Sequence, residues 1–249
     1  MRRGCSVLNR VRFLCDAIAD FIFPPICYGC DEEIENGLVC DSCRLLLFTS
    51  ELDVCVRCGR PCLPDEGLCG RCELPLGLSR VRAVGVYQPP LQGLILALKY
   101  SEKTALVPLL GAALALLLFQ DSELKKANYI CPVPLHPARL RERGYNQAWL
   151  LAREVSVITG IPLVQPLKRK KNTRSQTEMK DESARLKNVL GAFEVNPGFR
   201  FNGERLIVID DVMTTGATIS QAGAELRKAG AGDVMGLVLA AAFAPRDKG

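Results

Sequence analysis

The sequence predicts an α/β fold: a mostly parallel sheet with helices on both faces, preceded by a small cysteine-rich module. Three observations carry that expectation. From residue 81 to residue 242, short apolar runs alternate with segments of helical periodicity. One of those runs leads into two adjacent aspartates and a Thr/Gly turn. Between residues 27 and 72, eight cysteines fall into four Cys-x-x-Cys pairs.

Taken in order, residues 7–23 place Leu8, Val11, Leu14, Cys15, Ile18, Phe21 and Ile22 on one helical face, with Arg10, Arg12, Asp16 and Asp20 elsewhere. An amphipathic helix packed on its own protein is expected for residues 1–23, with contact to a membrane surface as the other reading. Asp16 and Asp20 interrupt any signal-peptide core. Pro24 and Pro25 end this helix. A metal-binding module is expected over residues 24–73 and a linker over 74–79. Strands are expected at 81–87, 129–134, 163–167, 191–195, 205–209 and 234–242. Helices are expected at 91–99, 105–120, 147–159 and after Gly216. Residues 168–187 are charged and lack apolar periodicity. One large domain, 80–249, follows. In such sheets ligands bind at the carboxyl ends of the strands.

The 249 residues are 48% hydrophobic, enough to build an ordinary core, and the net charge of +5 permits an anionic partner without requiring one. The longest apolar stretch, residues 105–119, is shorter than the ~20 residues a membrane-spanning helix needs. A cytoplasmic protein without a transmembrane segment is expected.

The cysteine spacing points to metal. Cys27, Cys30, Cys40 and Cys43 form one set; Cys55, Cys58, Cys69 and Cys72 form another. Two Cys-x-x-Cys knuckles bring four thiolates into the tetrahedron that Zn²⁺ prefers, so two structural zinc ions are expected. A disulfide framework is the competing reading, and with no secretory signal read in the sequence it is the lesser one. Sequential pairing of the knuckles is favoured over a cross-braced arrangement. Cys62 is a spare, and Cys5, Cys15 and Cys131 are small hydrophobes.

Residues 206–218 carry the sharpest signal. The apolar run ending at Ile209 meets Asp210 and Asp211, then Val212, Met213, Thr214, Thr215, Gly216, Ala217 and Thr218. Ile219, Ala222, Leu226 and Ala229 then recur at helical spacing. A turn from a strand into a helix aims unpaired N–H groups and the positive end of the helix dipole at one point, which suits a phosphate. The threonine hydroxyls add donors, and Gly216 lets the backbone come close. Two aspartates would repel that phosphate, so they suit hydroxyls or a divalent metal just beyond it. A ribose 5-phosphate meets both conditions. Simple helix capping by Asp and Thr is the alternative.

These residues resemble the phosphoribosyl pyrophosphate (PRPP) signature of type I phosphoribosyltransferases. The resemblance implies that Asp210 and Asp211 lie against the ribose hydroxyls. It also implies that Thr214, Thr215, Gly216, Ala217 and Thr218 hold the 5-phosphate. A second loop, residues 132–146, carries Arg139, Arg141 and Arg143 before Gly144 and the good N-cap Asn146. The resemblance implies a pyrophosphate site there, with Arg139 and Arg143 favoured over Arg141. His136, the one histidine, is expected to be structural or to donate to a phosphate rather than to act as a base. Lys168 to Gln176 form a cationic run, read either as a nucleic-acid contact or as a flap over a polyphosphate.

Taken whole, the chain resembles the ComF family, also called the competence protein F or GntX-like family. The resemblance rests on Phe23-Pro24-Pro25 with Cys27 and Cys30, Leu98-Lys99-Tyr100, Val133 to Pro137, Asn146 to Ala148, Thr173 with Gln176, Arg185 with Asn188, Gly191 to Phe193, and the Asp210 to Thr218 loop. It implies a zinc-binding N-terminal module on a type I phosphoribosyltransferase domain, in a bacterial cytoplasmic protein linked to uptake of transforming single-stranded DNA. One departure is visible: Ser101-Glu102-Lys103 stands where members usually carry a glycine, so the family's local turn, and with it any ligand role for Lys99, is not carried over.

Two functions follow. In the first, the chain is an enzyme that binds Mg²⁺-PRPP and transfers the ribosyl phosphate to an unidentified nitrogen acceptor, with Asp210 and Asp211 holding the ribose. In the second, the domain senses PRPP or a related sugar phosphate without turnover. The zinc module and basic loop would then bind single-stranded DNA or a partner DNA-uptake helicase. The zinc module is poor in the aromatic platforms that single strands stack on, so a structural role suits it better.

Overall fold

The computed structural model describes residues 25–49, 55, 57–59, 74, 77–171 and 191–242. The expected helix at 1–23 therefore lies outside the described residues, as do Cys62, Cys69, Cys72 and the segment 172–190.

The chain order is α1 (Asp41–Thr49), β1 (Arg80–Val86), α2 (Leu91–Tyr100), α3 (Val107–Gln120), β2 (Tyr129–Pro132), α4 (Pro137–Arg143), α5 (Gln147–Thr159), β3 (Leu167–Arg169), β4 (Phe193–Val195), β5 (Arg205–Met213), α6 (Ala217–Lys228) and β6 (Asp233–Ala241). The main sheet is parallel throughout, in the order β1-β6-β5-β2. Its central strands are continuous apolar runs because both faces are covered. Ile207 and Ile209 pack with α2, α3 and α5 on one face. Leu206 and Val208 pack with α6 and the β3–β4 pair on the other. Helix α3 is apolar nearly all round because it lies between the sheet, α5 and α1. Pro108 sits in its first turn, where no helical N–H is lost. Leu94, Leu98, Leu110 and Leu114 are fully buried here, each worth ~1.5–3 kcal/mol relative to exposure.

The cysteine module shares this core. Cys27, Val39, Cys43 and Leu47 belong to the same buried cluster as α2 and α3. A Cβ on Gly93 would stand 2.1 Å from the Tyr28 carbonyl oxygen, so α2 can approach the module this closely only with glycine there. The Val81 N–H also donates to the Arg57 carbonyl at 2.8 Å, tying the second cysteine segment to the start of β1.

Three sequence expectations are corrected. The strand at 205–209 runs on to Met213, because β6 continues beside it and pairs Val212 with Ala240 and Met213 with Ala241. The expected strand at 163–167 splits. Leu163 makes a single parallel bridge to Ile130, and Pro166, lacking an N–H, ends that pairing. Leu167–Arg169 then pairs antiparallel with Phe193–Val195, so the start of the charged stretch is a strand. Within the 132–146 loop, Pro137–Arg143 form the short helix α4, closed by Gly144 in the left-handed region at φ 80°.

Candidate functional site

Parallel strands bring their carboxyl ends to one edge, and the site is built there. Strand β5 delivers Asp210 and Asp211, and the chain turns through Thr214, Thr215 and Gly216 into α6. Gly216 holds φ 80° as the N-cap, a conformation that glycine adopts without the clash other residues meet. Thr215 Oγ1 accepts from the Ala217 N–H at 3.4 Å. From the neighbouring strand β2, the chain passes into α4, where His136 Nδ1 caps the helix by accepting from the Ala138 N–H at 3.2 Å. The histidine is thus a structural cap, as expected. Asn146 caps α5 in the same way, accepting from the Ala148 N–H at 3.0 Å.

A cavity of about 120 Å³ opens between these elements. Asp210, Asp211, Thr214, Thr218, Arg139 and Arg143 all line it. Gly216 lines a smaller hollow of about 10 Å³ beside it, shared with Asp210, Thr214 and Thr218. Thr215 and Ala217 belong to the turn but line neither space. Arg141 is exposed and outside the lining.

Sequence reasoning missed part of the wall. Lys99, Gln147, Arg169, Tyr87 and Tyr100 also face the cavity. Lys99 Nζ lies 2.5 Å from Asp211 Oδ1. Gln147 Nε2 donates to Asp211 Oδ2 at 2.5 Å, and Arg143 Nη1 donates to Gln147 Oε1 at 2.6 Å. The Arg143 guanidinium in turn lies 5.3 Å from the centre of the Tyr100 ring. The Tyr145 hydroxyl donates to the Leu98 carbonyl and fastens the arginine loop to the end of α2. The signals available were the end of α2 for Lys99 and the cationic run for Arg169. Neither announces a partner on a strand far along the sequence.

Burial, then the adjacent Asp211 charge, push Asp210 up to about 7, against the opposing pull of Lys99. Its Oδ1 accepts from the Asp211 N–H at 2.9 Å. Burial disfavours the Lys99 ammonium, but the Asp211 carboxylate outweighs it and holds that lysine above its usual value. The cavity therefore sets Lys99, Arg139, Arg143 and Arg169 around two carboxylates. It suits a multiply charged anion that also carries hydroxyls. The carboxylate oxygens of Asp210 and the hydroxyl groups nearby are the hard donors that Mg²⁺ takes. That ion commonly arrives with phosphates rather than in an all-protein cage.

At the other end of the chain, the Sγ atoms of Cys27, Cys30, Cys40 and Cys43 lie within 4.8 Å of one another. Four thiolates on one tetrahedral ion at ~2.3 Å would stand roughly 3.8 Å apart; Cys30 and Cys40 are separated by 3.8 Å. Backbone N–H groups of Gly29 and Cys40 point at Cys27 Sγ, each at 3.3 Å, and that of Cys43 at Cys40 Sγ at 3.4 Å. Such donors stabilise thiolate charge, so the set fits one metal ion with the sequential pairing. Of the second set, Cys55 and Cys58 are buried, and Cys69 and Cys72 lie outside the described residues.

Residues 18–73 match the family described as double zinc ribbon domain, and residues 142–248 match the phosphoribosyl transferase domain. The chain is similar to the DNA utilization protein YhgH of Salmonella typhimurium, with 30% identity over 224 residues, covering 85% of this chain and 94% of that protein. It is also similar to competence protein F of Haemophilus influenzae, at 32% identity over 217 residues, covering 84% of this chain and 87% of that one. Among solved structures, a purine phosphoribosyltransferase from Pyrococcus horikoshii is 22% identical and covers 54% of this chain and 73% of that chain at a TM-score of 0.36. With a double zinc ribbon ahead of a type I phosphoribosyltransferase fold, and relatives matched over most of their length, the chain belongs to the competence protein F (ComF) family.

Proposed function

We propose that this protein binds PRPP with Mg²⁺ and transfers its ribosyl 5-phosphate to an acceptor, in a cytoplasmic role linked to the use of incoming DNA. The observation that carries the reading is the convergence of the acidic pair, the Thr214–Thr218 turn and the arginines of α4 on one cavity. Asp210 and Asp211 accept hydrogen bonds from the ribose hydroxyls and oppose the positive charge that grows at the anomeric carbon. The turn and the N-terminus of α6 take the 5-phosphate. Arg139 and Arg143 stabilise the diphosphate as it leaves. Mg²⁺ supplies neutralisation of the diphosphate charge. The names of the relatives, DNA utilization protein and competence protein F, support the link to DNA. Two zinc ions in the ribbons, held by Cys27, Cys30, Cys40, Cys43 and by Cys55, Cys58, Cys69, Cys72, complete the assignment. The functional units are then residues 1–23, 24–73 and 80–249.

The test is pyrophosphate release from Mg²⁺-PRPP in the presence of pooled nucleobases and amines, with Asp211→Asn as control. Acceptor-dependent release that the variant loses is the expected result. Absence of release with PRPP still bound would sink the transfer reading. A sensor or scaffold would remain, and binding to single-stranded DNA and to a DNA-uptake helicase would be measured next.

A further inference from the structure

Asp211 is already paired on both oxygens before any ligand arrives. Lys99 occupies one carboxylate oxygen and Gln147 the other, each at 2.5 Å. The Lys99 side chain is 18% exposed and that of Asp211 5%. Gln147 passes the contact to Arg143, which lies over Tyr100, the residue after Lys99. The result is a closed ring: lysine, aspartate, glutamine, arginine, tyrosine. Its two cations face the cavity on either side of the carboxylate they restrain. A sugar hydroxyl that needs Asp211 meets a carboxylate whose two oxygens each already accept a contact, and whose charge Lys99 neutralises.

The ring has an obvious way to open. A diphosphate entering between Arg139 and Arg143 carries more negative charge than one carboxylate, and charge-assisted contacts to phosphate oxygens suit an ammonium. The backbone of Lys99 is fixed by α2 and by the Tyr145 bond to Leu98, so only the long side chain has to swing. We propose that Lys99 is a diphosphate-binding residue that exchanges partners. In the ligand-free chain its ammonium holds Asp211; the diphosphate draws it away and frees Asp211 for the sugar. This rests on the reading of the cavity as a PRPP site. It makes the site read both halves of its ligand at once, because the lysine gives up the Asp211 carboxylate when the diphosphate contact is made.

Isothermal titration compares PRPP, inorganic pyrophosphate and ribose 5-phosphate on the full chain and on Lys99→Gln, with Mg²⁺ throughout. The variant is expected to lose at least about 10-fold in affinity for PRPP and for pyrophosphate. Its affinity for ribose 5-phosphate should stay within about two-fold or improve. Equal losses for all three ligands, or no loss for any, overturn the exchange and leave Lys99 a plain counter-ion. Failure of the unaltered protein to bind PRPP overturns the functional reading itself, and with it the exchange. Because Lys99→Gln strands a buried charge, a second measurement uses the unaltered sequence. With ¹³C-lysine labelling, the Lys99 side-chain signal should move on adding pyrophosphate and stay in place with ribose 5-phosphate. The same shift with both ligands would also overturn the exchange.

Discussion

The two ends of the parallel sheet carry the same residue types to opposite ends. At the amino edge, Asp121 accepts from Arg80 and Arg82, each at 2.8 Å, and from the backbone N–H groups of Glu123 and Leu124 at 2.9 and 3.2 Å. Arg205 bridges Glu123 and Asp233 beside it, and Arg227 also reaches Asp233. Burial alone would raise Asp121, but those backbone donors, then the two guanidinium charges, hold it below the ordinary carboxylate value. At the carboxyl edge, two carboxylates stand side by side over an open cavity, and Asp210 is pushed upward. A cluster whose every oxygen is answered stabilises the fold. One that holds like charges together and leaves room between its cations is organised for a ligand.

The largest expected effect lies at the amino edge. Asp121→Ala removes the common partner of two arginines and the cap of the turn at Leu124–Lys126, and should cost about 3–5 kcal/mol in urea denaturation. PRPP affinity of the folded protein should stay within about two-fold. A large drop in affinity with little loss of stability would erase the distinction between the edges. The converse substitution is Asp210→Asn. It removes one of two adjacent like charges, so stability at pH 8 should rise by on the order of 1 kcal/mol. The same change removes a charged acceptor for the ribose, and PRPP affinity should fall about 10-fold or more. Loss of stability together with unchanged affinity would mean that Asp210 belongs with Asp121.

The pH dependence separates the edges without a large perturbation. Asp210 has a folded value of about 7, above its ordinary 3.8. Its stabilising contribution is complete below about pH 4 and is lost as pH rises toward 7. Asp121 is shifted the other way, so its contribution is complete above about pH 4 and is lost as pH falls through its folded value. Urea midpoints between pH 4 and pH 8 should therefore slope downward with pH in the unaltered protein. Asp210→Asn should flatten that segment and leave the acid limb intact. Identical slopes in the two proteins would remove the electrostatic contrast.

The legible parts were those with local causes. The apolar run before Asp210, the Gly216 turn, the caps at Asn146 and the start of α6 are fixed by neighbours in sequence. The first four cysteines were readable because metal-ligand spacing is itself local. The end of β5 was not, because the polarity of Asp210 and Asp211 suggests a strand end, while the backbone ladder from β6 carries on past them. Helix α4 was hidden by prolines that read as loop but sit at its entry, where they do no harm. The pairing of Lys99 with Asp211 was not legible, because the partner stands on a strand far along the sequence and is brought to it by the sheet.

The glycine missing after Tyr100 supplies the smallest expected effect. Glu102 adopts φ 53°, the left-handed region that a glycine would fill without a Cβ clash. The turn is nonetheless held: the Ser101 and Lys103 N–H groups both donate to the Ala97 carbonyl, and the Thr104 N–H donates to the Glu102 carbonyl at 2.8 Å. The chain keeps the shape of the turn and bears a strain of ~1 kcal/mol for it. Glu102→Gly should recover part of that, largely offset by the greater freedom of glycine when unfolded, for a net gain of at most about 0.5 kcal/mol and a Tm higher by no more than roughly 1–2 °C. Glu102→Ala keeps the Cβ and should gain nothing. Because α2 ends in the same place in all three proteins, the Lys99 contact to Asp211 should persist and PRPP affinity should hold within about two-fold. A loss of affinity in Glu102→Gly would show that the carboxyl edge depends on this strained turn to aim Lys99, and would make the turn part of the site rather than its support.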